Sequence, residues 1–492
     1  MASVGAKAPG PFVSQAPKLG FIGGFDGVRG IGILMVLSQH AYSNLYPSAA
    51  GIVDMFFVMS AFLIVSLLMQ EHRDTYGINF RKFYARRGVR LLPTAYLCIA
   101  AWFAAALLFD RDRLSTLWEE ALAAFFYVYE LVFPVGLAAV DPEKAEQLSI
   151  SQYWSLAVEE QFYLLIGVTV LVAIRKNWMK QLAVLMVAGA VFIGVQRWMG
   201  ITGPWPGGPT NDGVLPRGLS LLWLSRPDAL MWGVALAVLN AYLPELTPRW
   251  KRWLPKLAAV SFAVFFFTML MASGFLNDLF GQAGLPFPYT PMQPDIVNGE
   301  LQMDGGLYWI QYGHTVCAVS FAIPLLAMAR MKDWWANRWL SWQPLRWLGR
   351  QSYTLYVWHT LFFWLLLEVL GLDSVLGEKT RVLVLVPLGI LMGIPIYYGV
   401  EQKMMKVKLR YSSEKEVVDL HTGKMVDVTG KPVEDNDPPL SPEANRNGDT
   451  PGADTGDSGK ANDSGGTPGH GDHVGVAQDD AELSASDEGA TR

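Results

Sequence analysis

The sequence predicts an all-α polytopic integral membrane protein, and three observations predict it. About ten apolar runs are each long enough to cross a hydrocarbon core of ~30 Å. Of the 492 residues 51% are hydrophobic and 17% charged, and the mean hydropathy is +0.24. The lysines and arginines between the runs collect in alternate loops, which fixes an orientation in the bilayer.

Taken in order, residues 1–20 hold two lysines, three prolines and no apolar h-region, so a flexible N-terminal segment is expected rather than a cleaved signal. Membrane spans are expected at about 27–47, 50–70, 91–109, 153–174, 181–199, 219–243, 257–277, 307–329, 352–370 and 381–400. A further apolar stretch, 119–140, carries Glu119, Glu120, Glu130 and Pro134. If it crossed, the basic bias of every later loop would oppose that of 71–90, so an interfacial or re-entrant piece on the outer side is expected. Loops 71–90, 175–180, 244–256, 330–350 and 401–410 then share the basic side, and both termini are expected to be cytoplasmic. The transmembrane domain is bounded at 21–410.

The net charge of −5 conceals two opposed parts: residues 411–492 hold 18 acidic against 6 basic side chains, leaving +7 for residues 1–410. Within 411–434, alternation of Val417, Val418, Met425, Val426, Val428 and Val433 suggests a short hairpin, and from Glu434 on Gly, Asp, Ser, Asn and Pro dominate and a disordered acidic tail is expected. Cys98 and Cys317 both fall in predicted spans and offer neither a disulfide framework nor a metal spacing, and no bound cofactor or metal is expected.

The chemistry-bearing residues lie inside apolar runs. Arg29 and His40 are separated by eleven residues, ~16 Å along a helix, so the arginine stands near one face and the histidine past the midplane. Asp54, Glu159, Glu160, Arg226, Asp228 and His314 are expected at a shared depth with His40, 5–12 Å below the outer face by helical rise. Intramembrane ionisable groups are costly and mark function by default. A histidine poised by a carboxylate suits general base catalysis toward a hydroxyl, with Glu159 or Asp54 as the orienting group. Arg226 with Asp228 reads equally as a plain buried salt bridge. A second cluster, Arg86, Arg87 and Arg90, is expected on the inner side level with Arg29, where forked guanidinium donors suit phosphate and where topology-setting charge is the plain alternative.

These residues carry a resemblance. Asp26-Gly27 precedes an arginine with ten residues before a histidine, met by Arg29 and His40. Val53-Asp54-Met55-Phe56-Phe57-Val58-Met59-Ser60-Ala61 follows, with alanine where glycine is usual. Arg87-x-x-Arg90 stands before Pro93, then Tyr153-Trp154-Ser155-Leu156 leads to Glu159, Glu160 and Tyr163, and Ser352-Tyr353-x-x-Tyr356 leads to His359. Over residues 20–405 the chain resembles the membrane-bound acyltransferase-3 family. The resemblance implies transfer of an acyl group, usually from cytoplasmic acyl-CoA as cosubstrate, to a hydroxyl of an extracytoplasmic or lipid-linked glycan, with Arg29 and His40 required. Acetyl or succinyl transfer to a cell-envelope polysaccharide is the expected subclass. The expected site comprises His40, Glu159, Asp54 and Arg29 as catalytic residues. Arg86, Arg87, Arg90, Asp26, Glu160, Tyr163, Arg226, His314, Tyr353 and His359 are expected around the substrates. The rival class is a proton-coupled secondary transporter, which also needs charges at mid-depth, although the two halves show no paired symmetry.

Overall fold

The computed structural model describes residues 12–42, 50–133, 144, 147–202, 226–271, 295–297, 300–302, 313–409, 416–418 and 425–427. Each of the ten predicted spans overlaps a helix, although residues 43–47, 219–225, 272–277 and 307–312 of those spans lie outside the described residues: α1 (Gly23–Ala41), α2 (Ala50–Thr75), α3 (Phe80–Phe109), α6 (Tyr153–Arg175), α7 (Met179–Thr202), α8 (Pro227–Tyr242), α9 (Pro248–Met271), α10 (His314–Arg330), α12 (Gln343–Trp364) and α13 (Glu378–Ile396). Between them lie α4 (Leu114–Phe125), α5 (Tyr129–Val132) and α11 (Trp335–Leu340), and α14 (Gln402–Leu409) ends the membrane part.

Six of the described helices are long and apolar enough to cross a membrane: α2, α3, α6, α7, α9, and α13 continued through α14. α8 and α10 have 16 and 17 residues, and α1 and α12 are diluted by glycine and polar side chains. Packing explains the difference. Leu107, Leu108 and Phe109 of α3, Val184 and Leu185 of α7, and Val260 and Phe267 of α9 are exposed, as a lipid-facing surface requires, whereas the buried faces of α1, α8, α10 and α12 meet other helices.

α1 makes its most extensive helix contact with α12. A Cβ on Gly27 would overlap the carbonyl oxygen of Leu340, one on Gly30 that of Leu345, and one on Gly349 that of Asp26. The two backbones therefore touch directly, as small residues at a membrane helix crossing allow. α2 meets α8 in the same way, because a Cβ on Gly233 would overlap Val58 O and come within 2.7 Å of the Ala61 side chain. The alanine at position 61 thus leaves the close crossing intact, with the glycine supplied by the facing helix.

The third helix corrects the expected boundary of 91–109. Asn79 caps it by accepting from the Lys82 N–H at 3.0 Å, so it starts at Phe80, and Arg86, Arg87 and Arg90 lie within a helix rather than a loop. Of the expected flexible segment, residues 1–11 are outside the described set. Residues 12–22 run without helix, with Phe12, Ala16 and Leu19 buried and Arg73 donating to Ala16 O at 2.7 Å. The expected hairpin is present as β3 (Glu416–Val418) and β4 (Met425–Asp427), Val417 facing Val426, and a second pair, β1 (Asp295–Val297) and β2 (Glu300–Gln302), lies between α9 and α10. The proposed disordered tail beyond Glu434 is outside the described residues.

Of the 119–140 stretch, residues 119–133 are described and hold the end of α4 and the single turn α5, while residues 134–140 lie outside the described residues. α4, with 12 residues, is too short to span. Glu120 is buried and accepts from Tyr129 Oη at 2.5 Å, Ser149 N–H at 2.8 Å and Ile150 N–H at 3.0 Å, tying the segment to the start of α6. Gln161 Nε2 donates to Tyr127 O and to Glu130 Oε1, both at 2.6 Å, so the segment reaches about two turns down α6. Burial pushes the Glu120 carboxyl above its ordinary value.

Two outcomes are expected from this packing. Gly349→Val should separate α1 from α12 and lower the thermal midpoint in detergent by the equivalent of roughly 1–3 kcal/mol, whereas Gly88→Ala, which meets only Leu92 at 3.5 Å, should leave it unchanged or raised. Because the folded pKa of Glu120 is raised, its favourable contribution is present below the unfolded pKa and is lost as pH rises through the folded one. The midpoint of Glu120→Gln relative to the native chain should therefore improve on moving from pH near 4 upward, and a difference constant with pH would contradict this.

Candidate active site

α1, α2, α3, α6 and α12 surround a cavity with about 880 Å³ of empty space, counting its opening to solvent. Arg29, Arg87 and Arg90 line it together with Glu159, and Ser60, Ser155, Tyr163, Tyr353 and Tyr356 carry hydroxyls on its walls. The Arg87 guanidinium lies 4.0 Å over the Tyr163 ring, and the Tyr163 hydroxyl shares a short hydrogen bond with Ser60 Oγ. Tyr353 Oη donates to Leu91 O at 2.7 Å, and Ser155 Oγ is 2.6 Å from Tyr356 Oη. Asp26 stands 3.7 Å from Arg29, and Arg86 is held by Glu71 at 3.2 Å. Glu160, on the neighbouring face of α6, lies within electrostatic reach of Tyr96 and Tyr127 and has one buried oxygen without a partner among the described residues.

The hydroxyl-lined wall leads to the histidines. Tyr356 lines the cavity, its ring is 5.9 Å from that of His359, and His359 meets His40 edge-on at 4.6 Å. His40 Nδ1 is 3.0 Å from Val36 O and His359 Nδ1 is 2.7 Å from Tyr356 O. A carbonyl can only accept, so both rings carry their proton on Nδ1 when neutral and present Nε2 as the basic lone pair. His359 is 1% exposed and its Nε2 has no hydrogen-bond partner among the described residues, while His40 is exposed.

A separate buried group ties α2, α7, α8 and α10. His314 Nδ1–H donates to Asp54 Oδ2 at 2.6 Å, with Arg226 Nη1 3.4 Å from both Asp54 oxygens. Arg197 clasps Asp228 with bonds of 2.6 and 3.2 Å and donates to Thr315 Oγ1 at 3.0 Å. Arg226 also covers the Trp154 ring at 4.6 Å from a left-handed backbone conformation with φ of 55°.

Three expectations are thereby corrected. Asp54 does not orient His40, because it is engaged by Arg226 and His314. Glu159 does not orient it either: it lies among the arginines, so the expected outer layer and inner cluster meet in one cavity. A main-chain carbonyl takes the orienting role instead. Arg226 and Asp228 are not each other's partners, since residues two apart at a helix start point to different sides. Arg197 escaped the sequence reasoning altogether, although a lone arginine in the apolar run of α7 is the kind of signal that marks a buried pair.

Residues 22–399 match the family model described as an acyltransferase domain. The chain belongs to the acyltransferase-3 family. It is 29% identical over 348 residues to the putative peptidoglycan O-acetyltransferase YrhL of Bacillus subtilis (strain 168), covering 69% of this chain and 48% of that protein. It is 25% identical over 343 residues to the peptidoglycan O-acetyltransferase OatA of Listeria monocytogenes, covering 69% and 49%. A putative O-acetyltransferase of Staphylococcus aureus (strain COL) is 36% identical over 167 residues, covering 33% and 27%. The chain spans about half the length, or less, of these curated relatives. No solved structure matches it. As a multi-pass member of this family it carries every motif residue named above on a described helix.

Removing one member of the buried charge group should be costly. Arg197→Met leaves Asp228 without its counter-ion and should destabilise the protein by about 3–5 kcal/mol, seen as a lowered unfolding midpoint in detergent, while Arg197→Met with Asp228→Leu should recover most of it.

Proposed function

We propose that this chain is a membrane O-acyltransferase that moves an acetyl group from cytoplasmic acyl-CoA to a hydroxyl of a cell-envelope glycan, with peptidoglycan as the acceptor. The observation that carries this is the cavity lined by Arg29, Arg87 and Arg90 and by the hydroxyls of Ser60, Ser155 and Tyr356, with the Tyr356 ring 5.9 Å from that of His359 and His359 edge-on to His40. The family match supports acyl transfer, and the names of the relatives favour acetyl over succinyl and peptidoglycan over other glycans. In this reading all ten helices cross the bilayer, residues 21–410 form the catalytic domain, and both termini and the acidic tail are cytoplasmic, in keeping with the one-sided distribution of Lys and Arg.

The donor phosphates meet the guanidinium groups, and the thioester arm passes along Ser60, Ser155 and Tyr356. His40 Nε2 takes the proton of the acceptor hydroxyl as its oxygen attacks the thioester carbonyl. The C–S bond then breaks, the sulfur leaves as thiolate, and the imidazolium returns the proton to it. His359, packed edge-on, fixes the His40 ring and offers a second basic nitrogen beside it. The transporter alternative has no support comparable to the family match.

In proteoliposomes supplied with acetyl-CoA and glycan, His40→Ala should lower acetylated product, read by mass spectrometry, by ~10²-fold or more. Full activity in that variant would remove His40 as the base, and solute flux without acetylated product would favour a carrier.

A further inference from the structure

Cations crowd the cavity mouth, some of them without a short-range carboxylate partner among the described residues. Lys408, on α14, lies within electrostatic reach of Arg29, Arg86, Arg87 and Arg90, and α14 packs on α3, which carries three of these. The carboxylates of this region are Asp26, Glu159, Glu160 and Glu401, while Glu71 is taken up by Arg86. Among the described residues Arg87, Arg90 and Lys408 form no ion pair with any of these carboxylates, and Arg90 Nε is buried without a hydrogen-bond partner. Cations held together in a partly desolvated place repel one another unless an anion joins them.

α14 is also placed with some care. A π-helical turn, Tyr397–Glu401, precedes it, and buried Glu401 hydrogen-bonds Thr354 Oγ1 on α12. Such turns re-aim the residues after them and recur at functional sites. The three lysines of α14 are not alike: Lys403 and Lys406 are exposed, whereas Lys408 is half-buried. A purely topological charge needs no burial.

We propose that Lys408 is a phosphate-binding residue of the donor site, closing the arginine-lined mouth around a polyphosphate-bearing thioester. This rests on the assignment of acyl-CoA as donor. Arginines supply forked, directional bonds to phosphate oxygens, and the lysine adds a mobile point charge on the side the arginines leave open.

The test uses the full chain in lipid nanodiscs, with coenzyme A binding measured by calorimetry for the native protein, Lys408→Met, Lys408→Arg and Lys403→Met. Lys408→Met should weaken binding about tenfold and flatten its dependence on salt. Lys408→Arg should retain most of the affinity, and Lys403→Met should match the native protein. Native affinity in Lys408→Met, or equal weakening in the Met and Arg variants, overturns the assignment of Lys408 while leaving coenzyme A as donor. A native protein that does not bind coenzyme A removes the donor assignment and this inference with it. Unfolding midpoints of each variant separate lost binding from lost structure.

Discussion

The backbone contact of α1 with α11 and α12 is the constraint on which the site depends. Arg29 and His40 are carried by α1, and Tyr353, Tyr356 and His359 by α12. Only glycine at positions 27, 30 and 349 lets the helices approach closely enough for Arg29 to share a cavity with Tyr353 and Tyr356 and for the His40 and His359 rings to meet. In a bilayer apolar surface gains little by leaving lipid for protein, so close van der Waals packing between small residues must hold such a crossing. The glycines beside Arg29 therefore set the distance over which its guanidinium and the His40 imidazole face α12.

The two buried charge groups obey different logic. Asp54, His314, Arg226, Asp228 and Arg197 form a circuit in which each charge meets an opposite one at hydrogen-bond distance or close to it. Such a circuit braces α2, α7, α8 and α10, because taking out one member strands a charge in low dielectric. Its Arg226 also rests on Trp154, which connects the brace to α6 and so to Glu159. The group in the cavity has more cations than carboxylates. A closed group suits structure, and one with charge left over suits a ligand of opposite sign.

The histidines are tuned by the main chain. A helix carbonyl four residues earlier fixes the His40 tautomer, and one three residues earlier fixes that of His359, without bringing a carboxylate into the membrane. Asp54 and Asp228, by contrast, are placed where arginines neutralise them. This division lowers the desolvation cost of placing imidazoles, carboxylates and guanidinium groups inside one bundle.

Much of this was legible in the chain. Hydropathy located ten helices, since the bilayer imposes length and apolarity on each segment separately. The sequence motifs also named Arg29, Arg87, Arg90, Tyr353, Tyr356 and His359 before their proximity was known. Depth along a helix is a one-dimensional quantity, however, and says nothing of azimuth. Which carboxylate meets which cation depends on how helices rotate and cross, and that is settled by glycine contacts between residues hundreds of positions apart. The pairing of Asp54 with Arg226 and His314, the meeting of Glu159 with the arginines, and the partnership of Arg197 with Asp228 were accordingly decided by tertiary structure alone.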